Sequence, residues 1–278
     1  MVGLALASLL AFARSADADP PPAVRAGRTA RPPTAQAPRV ARGLPAGYSG
    51  AVRAWHAAPT GDKPPLDASG RPLLVIVALN THDRVSLSAR TDVGGFAAAD
   101  LERAAHVLRE PGSGNEHPVE PRLLDLVFRI QAHFAAHEIR VVSGFRTPVR
   151  GSHSNHGKGR AIDLVVPRTT DEEVAEFARQ TGFVGVGVYP TSGFVHVDVR
   201  PRSYFWIDTS GPGRRNRERG VLADLAQKSD AAAAQRGERP IAAYGLAFDV
   251  DGALREHRAS PPTLPGSPPE EDDPTEGD

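Results

Sequence analysis

The chain has 278 residues, with 33 basic and 33 acidic side chains and a formal net charge of zero at pH 7. This balance gives no electrostatic reason to expect a nucleic-acid partner. The sequence contains no cysteine, which excludes disulfides and thiolate metal sites, so a transition metal would need His, Asp or Glu ligands.

The N-terminus carries the pattern of an export signal. Val2 to Ala13 is an apolar run with the length of a signal-peptide core, and Ala16-Asp17-Ala18 fits a small-x-small cleavage site. We predict a signal peptide over residues 1–18 and a periplasmic or secreted location, with a buried N-terminal helix as the alternative. The run is too short to cross a bilayer as a helix, and no other stretch approaches that length, so we expect no integral membrane segment.

Composition divides the remaining chain into a folded middle and two flanks. Residues 19–48 are Pro-rich and contain too few apolar residues to offset the entropy of ordering, which predicts a disordered linker. We place the folded domain at residues 49–210 and a partly helical extension at 211–258, with a hairpin around Asp251-Gly252. Residues 259–278 are predicted to form an acidic disordered tail.

The first half of the domain combines a predicted hairpin with two helices. The apolar run Leu73–Leu79 and the alternating run Val85–Ala89 are predicted to pair as strands around a turn at residues 80–83. Helices are predicted at Ala98–Arg109 and at Pro121–Glu138, where the proline suits the first helical turn.

His133 and His137, in the second of these helices, have the i, i+4 spacing of helical zinc ligands. The residues between them are Phe134-Ala135-Ala136, so the glutamate of a His-Glu-x-x-His motif is absent. We therefore interpret the two histidines as a surface residue and a core-edge residue rather than as ligands.

The second half of the domain alternates β-prone segments with one helix. A capping box from Thr170 to Glu173 predicts the start of a helix that runs to about Gln180. The segment Val184–Tyr189 alternates valine with glycine, which leaves one strand face bare for the close approach of a ligand or another backbone. The other predicted strands are residues 140–143, 161–166 and 194–200.

Three side chains in this half are candidates for a metal site. His156 and Asp163 lie seven residues apart across a glycine-broken loop. In Phe194–Arg200 the valines alternate with polar residues, so His196 and Asp198 project together from the face opposite the valines. A catalytic zinc usually takes three protein ligands and keeps a fourth position for water, and His156, Asp163 and His196 supply that number. A structural role for each residue is the alternative.

Three further residues are predicted to assist such a site. Asp198 is our candidate for the general base because it shares a strand face with His196. Arg146, in Ser143-Gly144-Phe145-Arg146, is our candidate for polarising the scissile carbonyl. Ser154 is predicted to hold the loop or to hydrogen-bond a ligand.

The ordered motifs of residues 73–206 resemble those of the M15 zinc peptidases, the group that includes D-alanyl-D-alanine carboxypeptidases and dipeptidases. The similarity is greatest to the branch once labelled DUF882, to which a murein endopeptidase of Gram-negative bacteria belongs. Trp206, which follows the last of the motifs given below, also fits the pattern of this family. The motifs that carry the resemblance are Leu79-Asn80-Thr81-His82, Pro121-Arg122-Leu123-Leu124-Asp125, Ser143-Gly144-Phe145-Arg146, Ser154 to Asp163, Val186-Gly187-Val188-Tyr189-Pro190 and Phe194-Val195-His196-Val197-Asp198.

The resemblance implies an α+β fold of the M15 and hedgehog-like type, in which helices flank a small antiparallel sheet that carries one Zn²⁺. It implies His156, Asp163 and His196 as the zinc ligands, with Tyr189 as a residue that contacts substrate or supports a ligand. It also implies hydrolysis of peptide bonds in peptidoglycan stems or cross-links, which contain D-amino acids. We expect a monomer whose partners are peptidoglycan peptides.

The chain departs from the family pattern in two positions. Gly193 stands where many members have Glu or Asp three residues before the last histidine ligand, and Phe194 stands where some relatives have His. The base role of Asp198 therefore comes from the strand argument and is not inherited. His153 is an additional loop histidine that we interpret as a plain surface residue, with substrate or metal binding as the alternative.

Three functional interpretations follow from these features. The first is an exported zinc peptidase that cleaves peptidoglycan. The second is a zinc-stabilised module that binds cell-wall peptides with little or no turnover, which the missing acidic residue at position 193 keeps open. The third is a lysis protein that attacks the wall of another bacterium. Carboxypeptidase, 4-3 endopeptidase and 3-3 endopeptidase activities would all use the same site residues.

Overall fold

The structure is a computed structural model, and it describes residues 44–150, 154–212, 214, 218–219 and 222–241. The predicted signal peptide, nearly all of the Pro-rich linker, His153, the hairpin around residues 251–252 and the acidic tail lie outside the described residues. In the part that is described, no helix is both long and apolar enough to span a bilayer.

The described chain forms eight strands, five α-helices and one short 3-10 turn. The strands are β1 (Leu73–Ala78), β2 (Arg84–Ser88), β3 (Ile139–Ser143), β4 (Ala161–Val165), β5 (Val184–Tyr189), β6 (Phe194–Val199), β7 (Tyr204–Asp208) and β8 (Glu218–Arg219). The helices are α1 (Tyr48–His56), α2 (Ala98–Val107), α3 (Pro121–His133), α4 (Asp171–Arg179) and α5 (Ala223–Gln235), and the 3-10 turn is Asn155–Lys158.

All eight strands belong to one sheet with the order β2-β1-β3-β4-β6-β5-β7-β8. The α+β class is as predicted, but the expectation of a small antiparallel sheet is wrong in both size and strand direction. β1 runs parallel to β3, and β5 runs parallel to β7, while the other neighbours are antiparallel. The physical reason is that β2 and two helices separate β1 from β3 in the chain, and such a long connection lets the chain return in the same direction.

The β1–β2 hairpin and the start of α3 match the predictions, whereas α3 ends earlier than predicted. The β1–β2 hairpin forms with Leu74 opposite Leu87 and Ile76 opposite Val85. α3 begins at Pro121 but ends at His133 rather than at Glu138. Ala135 takes a left-handed conformation with φ of 47°, which is incompatible with continuing the helix toward β3.

The two histidines at the end of α3 have contacts that do not involve a metal. His133 is exposed and stacks on Phe177 of α4, with ring centroids 3.9 Å apart. His137 lies beyond the helix, and its Nδ1 is 2.7 Å from the carbonyl oxygen of Lys63. Both observations agree with the interpretation of these residues as structural.

Both faces of the central strand β6 are buried. Val195 and Val197 are fully buried on one face. On the other face Phe194 belongs to a buried cluster with Trp55 of α1 and Trp206 of β7. The valines point into the core as predicted, but the opposite face, which carries His196 and Asp198, is covered as well. A functional group on this face therefore lies in a largely water-excluded environment.

The start of α4 combines a complete capping box with a partly buried acid, Asp171. Thr170 Oγ1 accepts a hydrogen bond from the backbone N–H of Glu173, and the Glu173 carboxylate accepts one from the backbone N–H of Thr170. Asp171 directly follows Thr170, and burial raises the pKa of its carboxyl to about 6. His56 of α1 lies 3.9 Å from this carboxylate and lowers the pKa, but by less than burial raises it. Between about pH 4 and pH 6, the folded protein therefore keeps a proton on Asp171 that the unfolded chain, with a pKa of about 3.9, releases.

We expect Asp171→Asn to stabilise the protein at pH 8 by about 1–3 kcal/mol and to change its stability little at pH 4. Because the folded-state pKa is raised, the wild type loses stability as pH rises from about 4 through about 6, whereas the asparagine variant has no charge to bury. Denaturant unfolding at both pH values measures the difference. Glu102→Gln, at an exposed position of α2, is the control, and an equal gain for Asp171→Asn at pH 4 and pH 8 would contradict the burial argument.

Candidate metal centre

The structure brings the three predicted ligands together. Each of His156, Asp163 and His196 offers one ligand atom, these atoms all lie within 4.8 Å of one another, and all three side chains are buried. Asp163 of β4 is paired directly with His196 of β6 in the antiparallel register, which places their side chains on the same face of the sheet. Among the residues described, no other group of His, Asp or Glu side chains has this geometry.

The hydrogen bonds of the two rings orient their lone pairs toward one point. His156 Nδ1 is 2.7 Å from the Gly144 carbonyl oxygen, which only accepts, so Nδ1 carries the hydrogen and Nε2 faces the centre. His196 places Nε2 2.9 Å from the Asp198 carboxylate and Nδ1 toward the centre beside Asp163, so a neutral ring that keeps its hydrogen on Nε2 offers the lone pair of Nδ1 to the centre. The two inward nitrogens are 3.1 Å apart, and Asp163 Oδ1 lies 3.3 Å from His156 Nε2 and 2.9 Å from His196 Nδ1.

Three atoms that can each offer a lone pair converge in a buried space, and a metal cation or a proton between them offsets their mutual repulsion. Two imidazole nitrogens and one carboxylate oxygen form the donor set that Zn²⁺ commonly takes in sites that keep an open position. Each ring also donates its other N–H to a carbonyl or carboxylate, which is the usual arrangement for histidine ligands of a metal. The residues present therefore fit a zinc ion.

The pKa shifts at the site keep two of the candidate ligands in the form that a metal requires. Burial lowers the pKa of His156 to about 4, so this ring is neutral near pH 7. Burial alone would raise the pKa of Asp163, but His156, His196 and Arg146 together lower it, so the carboxylate is ionised.

His196 differs, because its hydrogen bonds to Asp163 and Asp198 outweigh burial and raise its pKa. The positive charge in the centre can thus be supplied by a proton on this ring or by a metal cation. Metal binding here displaces a proton.

The loop that carries His156 is held by its own backbone. Ser154 Oγ accepts a hydrogen bond from the backbone N–H of His156, 3.3 Å away, at the start of the 3-10 turn. Gly159 ends the turn with φ of 62°, and a β-carbon there would overlap the carbonyl oxygen of Pro118. The glycine that breaks the sequence motif is therefore required by both backbone conformation and packing.

Arg146 lies beside the centre, at the end of the segment that follows β3. Its Nη2 is 3.5 Å from Asp163 Oδ2, and its side chain is 21% exposed. The backbone N–H of the preceding Phe145 donates to the carbonyl oxygen of Leu108, and Glu110 accepts hydrogen bonds from both the backbone N–H and the hydroxyl of Thr147. Sequence reasoning missed that Glu110 holds the segment next to Arg146, because Glu110 and Thr147 lie 37 positions apart and share no local motif.

Tyr189 lies in the buried cluster around α1 and is not one of the three converging residues. It is only 2% exposed, and its hydroxyl accepts a hydrogen bond from Trp206 Nε1 at 3.1 Å. The Trp206 ring in turn packs near His196, with centroids 5.1 Å apart. Tyr189 thus lies next to a residue that supports a candidate ligand, and its predicted contact with substrate stays a prediction.

The glycines of β5 make room for side chains of the site. A β-carbon at Gly187 would overlap the Trp206 indole, and one at Gly185 would overlap the Asp198 carboxylate and the Arg200 guanidinium. The valine–glycine alternation indicated a close approach on this face. The approaching groups are side chains of β6 and β7 and of the residue after β6.

Asp198 is fully buried on the far side of His196 from the converging atoms. Its Oδ1 accepts hydrogen bonds from Arg200 Nε at 2.6 Å and from Asn155 Nδ2 at 3.0 Å. Its Oδ2 accepts from His196 Nε2 and also pairs with Arg200 Nη2. Burial alone would raise the pKa of Asp198, but Arg200 and His196 lower it. Its predicted role as the base stays a prediction, and Arg200 and Asn155 are partners that sequence reasoning missed.

Gly193 occupies a position where a larger residue would not fit. It has φ of 71° in the turn between β5 and β6, and a β-carbon there would overlap Val52 of α1. Its carbonyl oxygen lies 3.2 Å from His56 Nε2 on the same helix. The packing of α1 onto this turn therefore leaves no room here for the acidic side chain that the family pattern led us to expect.

Comparison with known proteins agrees with this geometry. The family model described as peptidoglycan L,D-endopeptidase MepK matches residues 68–204, which contain all three candidate ligands. The chain is 29% identical over 142 residues to the "probable peptidoglycan L,D-endopeptidase MepK" of Haemophilus influenzae, covering 46% of this chain and 76% of that protein. It is 26% identical over 144 residues to peptidoglycan L,D-endopeptidase MepK of Escherichia coli K12, covering 47% of this chain and 79% of the relative.

No solved structure gives a significant match. The ordered motifs, the convergent His-Asp-His group and the match over residues 68–204 lead to the same assignment: the chain belongs to the M15 peptidase family, in the branch of peptidoglycan L,D-endopeptidase MepK.

Proposed function

We propose that this protein is a zinc-dependent endopeptidase that cleaves L,D-peptide bonds in peptidoglycan cross-links. The observation that carries the proposal is the convergence of His156 Nε2, Asp163 Oδ1 and His196 Nδ1 in a buried group within the matched region. The names of the MepK relatives support the substrate and the bond type.

His156, Asp163 and His196 would hold the metal as two neutral nitrogens and one carboxylate. A bound zinc ion supplies a Lewis acid and lowers the pKa of a coordinated water to about 7. Around it, Gly144 orients the His156 ring through its carbonyl oxygen, and Trp206 packs near the His196 ring. These contacts hold the ligands in place before substrate arrives, which limits reorganisation during the reaction.

Arg146 is the residue we propose for stabilising negative charge on the scissile carbonyl oxygen. Its Nη2 faces Asp163 beside the centre, and the side chain as a whole is partly exposed, which is the arrangement needed for a contact with a bound peptide. A positive group fixed where charge develops in the transition state accelerates acyl transfer.

The L,D bond type distinguishes between the 4-3 and 3-3 endopeptidase activities that would use this site. A 4-3 cross-link joins two D-centres, whereas a 3-3 cross-link joins an L-centre to a D-centre. We therefore propose 3-3 cross-links as the substrate and cell-wall remodelling as the process. Because peptidoglycan lies outside the cytoplasmic membrane, we propose a periplasmic or secreted location for the protein, which acts as a monomer.

Digestion of purified muropeptides tests the function. We expect the full chain with zinc to convert 3-3 cross-linked dimers into monomers and to leave 4-3 cross-linked dimers intact, as measured by mass spectrometry. Cleavage of 4-3 dimers, or trimming of stems without cleavage of cross-links, would overturn the L,D-endopeptidase proposal. A zinc-bound protein that binds muropeptides but turns over neither dimer would instead support the cell-wall-binding module.

A further inference from the structure

Asp198 has a geometry that does not suit the base role predicted from its strand position. Its side chain is fully buried, and both carboxylate oxygens already accept hydrogen bonds from His196, Arg200 and Asn155. A general base must place a lone pair within hydrogen-bond reach of the proton that it accepts. Here the lone pairs of Asp198 are directed to other side chains of the protein.

The position of Asp198 relative to His196 leads to the same conclusion. Asp198 contacts Nε2 of the ring, whereas Nδ1 is the atom that approaches His156 and Asp163. The two ring nitrogens point away from each other, so the imidazole stands between Asp198 and the point where the ligand atoms converge.

We propose that Asp198, held by Arg200 and Asn155, is a positioning residue that fixes His196 in the tautomer presenting Nδ1 to the metal. This inference rests on the proposed zinc site. A carboxylate at Nε2 keeps the hydrogen on that nitrogen, so that Nδ1 keeps its lone pair for the metal, and it increases the basicity of the ring as a ligand.

Arg200 fixes the orientation of the Asp198 carboxylate. Its guanidinium pairs with both carboxylate oxygens, through Nε and Nη2, and such a two-point contact allows one orientation of the carboxylate plane. The guanidinium lies over the rings of Tyr204 and Trp206 at 5.6 and 5.8 Å from their centroids. Gly185 provides the space, because a β-carbon there would overlap both members of the ion pair.

Asn155 connects this ion pair to the loop that bears the first ligand. Its Nδ2 donates to Asp198 Oδ1 at 3.0 Å, and the next residue in the chain is His156. The hydrogen bond therefore links β6, which carries the third ligand, to the 3-10 turn, which carries the first. Loss of Asp198 would release the His196 ring and this link together.

The experiment compares zinc affinity and turnover in the full chain carrying Asp198→Asn or Asp198→Ala. We expect zinc affinity, measured by competition with a chromophoric chelator, to fall about 10–100-fold. At saturating zinc, kcat should fall much less than the roughly 10²–10⁴-fold contributed by a general base. Unchanged zinc affinity with a loss of kcat in that range would overturn the positioning role and restore the base.

Three further measurements keep these outcomes interpretable. Asp208→Asn changes a carboxylate that is equally buried but lies on β7, outside the converging group, so it should bind zinc as the wild type does and serves as the control for loss of a buried charge. Asn155→Ala keeps the ion pair and should weaken zinc binding in the same direction by a smaller factor, even if the Asp198 variants fold poorly. In the zinc-loaded wild type, ¹⁵N NMR should show the hydrogen of His196 on Nε2, and a hydrogen on Nδ1 would overturn the proposal.

Failure of the wild type to bind zinc would overturn both the proposed function and this inference. Normal zinc binding by Asn155→Ala and by both Asp198 variants would overturn this inference alone.

Discussion

His156→Ala is expected to remove zinc binding and to lower the rate of muropeptide hydrolysis by at least about 10³-fold. A catalytic zinc ion contributes several kcal/mol of transition-state stabilisation, and each 1.36 kcal/mol corresponds to a factor of about ten in rate. His156 is fully buried and supplies one of three converging ligand atoms, so its loss leaves two of the three. Metal content by elemental analysis and turnover of 3-3 cross-linked dimers measure the two effects.

His133→Ala is the matched control for this substitution. His133 is exposed and stacks on Phe177, outside the converging group, so its replacement should leave zinc content and turnover unchanged. Treatment of the wild type with EDTA should reproduce the activity loss without any mutation, and added zinc should reverse it. Full activity in metal-free protein would contradict the zinc-dependent mechanism, whatever the effect of the mutation on folding.

Arg146→Ala is expected to lower kcat by about 10²–10³-fold while zinc remains bound. Nη2 of Arg146 lies 3.5 Å from Asp163 Oδ2, and the Arg146 side chain as a whole is one-fifth exposed, which places it at the boundary between the metal site and solvent. Its loss would remove positive charge from the site of the developing oxyanion. Steady-state kinetics at saturating zinc, together with a zinc titration, separate the effect on turnover from the effect on metal binding.

Arg146→Lys and Arg150→Ala complete this test. Lysine keeps the charge but not the planar two-point geometry, so it should restore part of the activity. Arg150 is exposed on the same loop, and its replacement should leave kcat unchanged. If Arg146→Ala weakens zinc binding and keeps the wild-type kcat at saturating zinc, then Arg146 orients Asp163 and does not act on the substrate.

Sequence reasoning succeeded where the determining interactions are local. The β1–β2 hairpin, the start of α3 at Pro121 and the capping box at Thr170 each depend on residues within one turn or one hairpin of each other. The alternation in Phe194–Arg200 correctly placed the valines in the core because side-chain direction alternates strictly along a strand. Strand order was not accessible in this way, because it depends on pairing between segments that are far apart in the chain.

The same division applies to the site. The sequence by itself determined that any transition-metal centre must use His, Asp or Glu, and it identified His156, Asp163 and His196 as the candidates. Only the tertiary structure decided that these side chains converge, because the pairing of β4 with β6 sets Asp163 beside His196. It also decided that Asp198 faces Arg200 and Asn155, and that α1 packs against Gly193. The physical reason is that residue spacing sets which way a side chain points along its own strand, whereas its partners are set by packing between distant segments.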